Sequence, residues 1–228
     1  MIELPIVPKG TLYRDEAEKT SLETRNGVIQ ARFVFYKITQ WTDGDQITPE
    51  LLLEFQRLAV NQIYRCAGHF RDDRVTIRNS AGEILYEPPN HTLIPELVEE
   101  MCNYVNQNWT TKTPIHLSAY AMWRLNWIHP FFGGNGRTAR AFSYLVLCIG
   151  LQFAPPANQK TIPQLIEENR QPYTTALREA DKAWADKKLD LTAMETLLSD
   201  LLAIQLVFLH EAATGVKYPP SETDRGSR

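Results

Sequence analysis

The chain has 228 residues, 43% hydrophobic and 22% charged, a balance that excludes disordered and fibrous classes and points to one large domain or one domain with an appendage. Lys and Arg number 24 against 27 Asp and Glu, for a formal net charge of −3. That lacks the basic excess of a nucleic-acid binder, so no nucleic-acid partner is expected.

Residues 1–21, rich in proline and charge, read as an extended lead-in. From Leu22 to Trp41 the residues Val28, Ile29, Phe33, Val34, Phe35 and Ile38 recur at helical spacing, and Asp43-Gly44-Asp45 ends that helix. Thr48-Pro49-Glu50 opens the next, with an N-cap followed by proline at the first helical position. Its apolar face runs through Leu52, Phe55, Leu58, Ala59 and Cys66 to an end near Gly68. Residues 74–78 and 83–87 alternate with period two around Asn79-Ser80-Ala81-Gly82, which predicts a β-hairpin closed by Pro88-Pro89. Helices are then expected at Pro95–Trp109, Ile115–Ile128, Gly136–Leu151, Pro163–Ala185 with a break near Pro172, and Leu191–Glu211. Residues 212–228 read as a polar tail. The fold class is therefore all-α with one small hairpin. The longest apolar stretch, Leu201–Leu209, falls short of the roughly 20 residues that span a bilayer. The N-terminus lacks the pattern of a signal peptide. Cys66, Cys102 and Cys148 fall in apolar helical contexts and outline neither a disulfide framework nor a zinc site. A cytoplasmic protein without a membrane partner is expected.

The segment carrying chemistry is His129-Pro-Phe-Phe-Gly-Gly-Asn-Gly-Arg-Thr-Ala-Arg140, between two apolar helices. Asn135 is a favourable N-cap, and glycines at positive φ expose consecutive backbone N–H groups. A helix N-terminus opened in this way binds anions, phosphate above all. Arg137 and Arg140, three residues apart, share a helical face and suit a polyphosphate. His129 is the group here that exchanges a proton near neutral pH. Taken singly, each feature has a plainer reading: a histidine at a helix end is usually structural, and Gly-Gly-Asn-Gly is most often a turn. Their order and spacing together suggest phosphoryl or nucleotidyl transfer to a hydroxyl.

This segment resembles the Fic (Fic/Doc) signature H-x-F-x-[D/E]-G-N-G-R-x-x-R, matching at His129, Phe131, Gly134, Asn135, Gly136, Arg137 and Arg140. Residues 93–109, 115–129 and 161–173 also look like bacterial Fic proteins, so the resemblance covers roughly 22–210. It implies a Fic-type helical domain over 22–211, with a hairpin flap at 74–87 and the motif loop at 129–140. It also implies transfer of AMP from ATP to a Ser, Thr or Tyr hydroxyl of a target protein, with release of pyrophosphate. By position, His129 would be the general base, and Gly134, Asn135 and Gly136 would cradle the phosphates. Arg137 and Arg140 would hold the outer phosphates. Separately from the resemblance, Tyr173 or Asn169 is a candidate for lining a base pocket. Val75, Ile77, Ile84 and Tyr86 of the flap would register an extended target segment by strand pairing.

Two departures matter. The acidic position of the signature, which in the family helps hold Mg²⁺, is Gly133. A glycine offers a backbone carbonyl but no charge, so Mg²⁺ would be weakly anchored and no protein metal ligand is expected. Slow turnover, altered donor use and nucleotide binding without turnover all stay open. The second departure concerns the family's inhibitory pattern [S/T]-x-x-x-E-[G/N], whose Glu pairs with the second motif arginine. Ser21-Leu-Glu-Thr-Arg25-Asn26 has the spacing with the wrong charge, and Thr39-Gln-Trp-Thr-Asp43-Gly44 has a shorter acid. Regulation would then be absent or would come from a small inhibitory partner protein. Gly136 stands where a kinase-like branch of the superfamily carries lysine, which tilts the resemblance toward nucleotidyl transfer.

Overall fold

The structure, a computed structural model, describes residues 10–79, 81–154 and 160–215. The first nine residues of the expected lead-in, Ser80 of the hairpin turn and residues 216–228 of the expected tail lie outside that set.

Eight α-helices and a two-stranded antiparallel sheet make up the described fold, which is all-α with a small hairpin. Helix α1 spans Glu16–Gln40, starting six residues before the expected Leu22. Asp15 supplies the start: its side chain accepts from the Glu18 N–H, and Glu16 and Glu18 sit favourably in the first turn. Helix α2 spans Pro49–Ala59, with Thr48 capping the Leu51 N–H as the sequence predicts. It stops well short of Gly68. After Val60 the chain turns through Gln62 at φ 61°, and Tyr64 forms an isolated antiparallel bridge to Thr11. Cys66 is therefore half-buried in a turn, whereas Cys102 and Cys148 are buried in helices.

The hairpin is shorter than its alternation suggests. Strand β1 is Ile77–Arg78 and β2 is Ile84–Tyr86, paired Ile77 to Tyr86 and Arg78 to Ile84 across a bulge. The Asn79 side chain accepts from the N–H groups of Ala81 and Glu83, bending the turn before the strands lengthen. A single turn of 3-10 helix, His91–Leu93, leads into α3 (Ile94–Gln107).

Helices α4 (Pro114–Ile128) and α5 (Asn135–Gly150) form the centre and pack on each other more extensively than any other pair. Helix α4 and the later turns of α5 are apolar nearly all round, which marks helices buried on every side. Leu117, Ala119, Trp123 and Leu125 of α4 are buried against Ala139, Phe142 and Leu145 of α5 in one cluster. Small residues bring the backbones close: the Ser118 hydroxyl donates to the Ser143 carbonyl at 2.8 Å. A Cβ at Gly150 would lie 2.8 Å from Pro114 Cβ. Helices α1, α2 and α3 cover one side of this pair. On the other side are α6 (Ile162–Glu168), α7 (Arg170–Ala185) and α8 (Thr192–Thr214). The break between α6 and α7 falls at Asn169, which leaves Pro172 in the first turn of α7, where its missing N–H is tolerated.

Helix α8 extends beyond the expected Glu211. It is the one helix among the described residues long and apolar enough to cross a membrane, with mean hydropathy 1.5 over its richest window. It packs on α4, α6 and α7, with Met194, Leu198 and Gln205 as its buried residues.

Candidate active site

The link between α4 and α5 is built to reverse the chain tightly. His129 ends α4 in the left-handed conformation, φ 49° and ψ 59°, with its N–H donating to Leu125 O at 2.9 Å. Phe131 anchors the loop in the core at 1% exposure. Asn135 does not act as the expected N-cap. It is the first residue of α5, and its side chain clamps Phe131: the Phe131 N–H donates to Oδ1 at 3.0 Å, and Nδ2 donates to Phe131 O at 2.8 Å. The Asn135 side chain thus shapes the loop, with one Nδ2 donor committed to Phe131 O. The residue before α5 is Gly134 at φ 79°, where a Cβ would lie 2.5 Å from Val60 Cγ1. Only glycine meets both demands. No side chain caps α5, so the positive end of its dipole is left without a capping acceptor. Among the features expected of the loop, this open helix start is the strongest anion site.

Both motif arginines converge on this helix start, and both already hold carboxylates. Arg137 donates to Ala59 O at 3.0 Å and to Glu23 of α1 at 3.1 Å. Arg140 is buried and pairs with Glu167 of α6, which also pairs with Arg170. Burial lowers the pKa of Arg140, while the Tyr173 hydroxyl beside it favours the charged form. Tyr173 is buried, and its hydroxyl accepts from Asn126 at 2.7 Å. Its position is that of a support for Arg140 more than of an open pocket wall. Asn169 is exposed at the α6–α7 junction. The acid that reaches a motif arginine from α1 is Glu23, two positions before the pattern's slot and directed at the first arginine. Arg25, in that slot, donates to Gln62 instead.

His129 is buried, and its Nδ1 has no hydrogen-bond partner among the described residues. Burial, reinforced by the nearby Arg71 guanidinium, pushes its pKa down to about 4, with the Asn126 backbone pulling the other way. The imidazole is therefore neutral at pH 7, with its base form available. Arg71 is a residue that the sequence did not single out. Only 3% exposed, it donates to the carbonyls of His129 (2.8 Å), Asp73 (2.9 Å) and Pro89 (2.6 Å), and its own N–H donates to Pro130 O. It thereby ties both feet of the hairpin to the motif loop. Within Arg71-Asp-Asp-Arg74 it reads as part of a solvated charge run, and its place just before the hairpin is the only hint of its role.

Gly133 sits against Tyr64. A Cβ at position 133 would lie 2.3 Å from Tyr64 Cε2, and the Gly133 carbonyl accepts from Gln56 Nε2 at 3.2 Å. In the flap, Ile84 is exposed, Ile77 is half-buried, and Val75 is half-buried outside the strand. Tyr86 is not free for a target segment, because its hydroxyl donates to the Trp127 carbonyl of α4. It anchors the hairpin two residues before His129.

Residues 46–147 match the model of the Fic/DOC family. Over those residues the chain carries a Fic domain. Solved Fic structures share the fold. One is a Fic-domain-containing signaling protein from Bacteroides thetaiotaomicron VPI-5482, at 20% identity and TM-score 0.69, covering 88% of this chain and 74% of that one. Fic-1 from C. elegans matches at 22% identity and TM-score 0.64, covering 85% and 52%, so this chain spans about half of its length. BepC from Bartonella tribocorum, solved with bound AMPPNP, matches at 19% and TM-score 0.53, covering 85% and 93%. Proteins with Fic domains are commonly AMPylating or related transferases.

Proposed function

We propose that this Fic domain is a protein nucleotidyltransferase that moves AMP from ATP to a side-chain hydroxyl of a target protein. The observation that supports it best is the uncapped start of α5, with His129 at the other end of the loop and Arg137 and Arg140 on its first turns. In this reading the phosphates rest on the backbone N–H groups beginning at Asn135 and displace Glu23 and Glu167 from the two arginines. The bound AMPPNP of the Bartonella relative is in keeping with such a ligand.

His129, neutral and buried, takes the proton of the acceptor hydroxyl. The oxygen forms a bond to the α-phosphorus as the bond to the bridging α–β oxygen breaks, and pyrophosphate leaves with its negative charge held by the arginines and the helix terminus. The flap, tied by Arg71 and Tyr86 to the residues around His129, presents Ile84 and an unpaired strand edge to an extended target segment.

A second reading, nucleotide binding without turnover, is favoured by Gly133, which brings no carboxylate to the phosphates. Incubation with α-labelled ATP and a cell lysate separates the two. Transfer of label by wild type and none by His129→Ala is the expected result. No transfer by either, with nucleotide still bound, would favour the second reading.

A further inference from the structure

The divalent metal that the Fic resemblance implies does not fit the residues present, and this mismatch deepens the proposed function, on which it rests. Three observations meet at position 133. The space into which a carboxylate there would project is filled by the Tyr64 ring, whose Cε2, Cζ and Cδ2 would lie 2.3, 2.9 and 3.1 Å from a Cβ. The backbone carbonyl of Gly133, its only ligand for a metal, accepts from Gln56. Gln56 is 1% exposed and held in turn by the Gly68 N–H on its Oε1. Among the described residues no group of three or more His, Cys, Asp or Glu is placed to hold a metal ion.

Each charge around this corner is already paired: Lys19 with Glu16, and Arg137 with Glu23. Lys19, Arg137 and Glu23 all bear on the Tyr64 hydroxyl. A divalent cation brought to position 133 would find no carboxylate there, and the nearest acid, Glu23, is held by Arg137, whereas Mg²⁺ held by a protein ordinarily takes at least one carboxylate. A polyphosphate meets the opposite situation: two guanidinium groups and an open helix N-terminus.

We infer that this site takes a nucleoside polyphosphate as the metal-free anion, with Tyr64 walling off the position of the family's metal-bearing carboxylate. Arg137, Arg140 and the first-turn N–H groups of α5 then supply the neutralisation that a metal gives elsewhere. Tyr64 is a specificity residue in this account, setting which form of the nucleotide is bound.

Calorimetric titration with α,β-methylene-ATP, in excess Mg²⁺ and in EDTA, tests this without relying on turnover. For wild type, affinity in EDTA equals or exceeds that in Mg²⁺, within about twofold. Gly133→Asp in a Tyr64→Ala background gains about tenfold or more from Mg²⁺, because the carboxylate then has both room and charge. Gly133→Asp alone melts lower than wild type, since Tyr64 must move. Thermal melts of each variant establish that it is folded. A wild-type affinity that collapses about tenfold in EDTA overturns the inference and leaves the nucleotide site standing. A folded double variant that gains nothing from Mg²⁺ overturns the role given to Tyr64. No binding by wild type in either buffer overturns the nucleotide reading itself.

Discussion

At the scale of single residues, the site depends on burial as much as on charge. His129 is depressed to about 4 in the folded protein, against about 6.5 for an ordinary histidine. Below that ordinary value the unfolded chain binds a proton that the folded chain refuses. Stability associated with His129 is therefore intact above pH 6.5 and lost as pH falls toward 4, by up to about 3 kcal/mol. Denaturant melts across this range should show wild type losing more than His129→Asn, whose side chain tolerates the left-handed backbone. Equal losses would mean that the imidazole is not buried as described. Arg71 makes a sharper case. Its three side-chain donors serve three carbonyls, so Arg71→Ala leaves buried acceptors without partners. A loss of about 3 kcal/mol is expected, with Arg71→Lys recovering only part because an ammonium lacks the planar fork. Urea unfolding measures both.

At the scale of elements, α5 carries the anion site while α1 and α6 supply the acids that occupy it. Each pair involves a partly exposed carboxylate, so each is worth little by itself: about 1 kcal/mol at most. Glu23→Ala and Glu167→Ala should each raise affinity for inorganic tripolyphosphate by about two- to fivefold at low salt, converging at high salt. Unchanged affinity would mean that the phosphates do not compete for these arginines. The hairpin depends on one hydroxyl for its hold on α4. Tyr86→Phe should cost about 1 kcal/mol and speed amide exchange in β1 and β2, with α4 and α5 unaffected.

The elements also show what a sequence can and cannot reveal. The buried centre was legible because α4 and the later turns of α5, from Ala141 on, are apolar nearly all round, and Thr48-Pro49 marked α2 by local capping chemistry. Element ends were less so. The start of α1 depends on Asp15 inside a charged stretch, and α2 ends at Val60 because the following turn pairs Tyr64 with Thr11, a contact across more than fifty residues. In the site, the motif located His129, the glycines and both arginines. The partners of those arginines, Glu23 and Glu167, arrive from separate helices, and no local spacing reveals them. The same holds for Arg71 at the flap and for Tyr64 in the gap at Gly133.

For the whole molecule, the near-neutral net charge conceals a local concentration of cations. Arg71, Arg137 and Arg140 all lie at or beside the α4–α5 loop, and the acids that balance two of them come from distant parts of the chain. The fold brings these groups together by packing α1, α2 and α6 around α5, so the site exists only in the assembled domain. The central claim is that nucleotide phosphates rest on the start of α5. Titrating isotopically labelled protein with ATP while following backbone amide resonances tests it most directly. The account predicts that the largest shifts fall on the amides from Asn135 to Arg137, and that Arg140→Ala abolishes them. Shifts centred elsewhere, for example along the groove between Phe33, Trp41 and Leu51, with those amides unmoved, would contradict it.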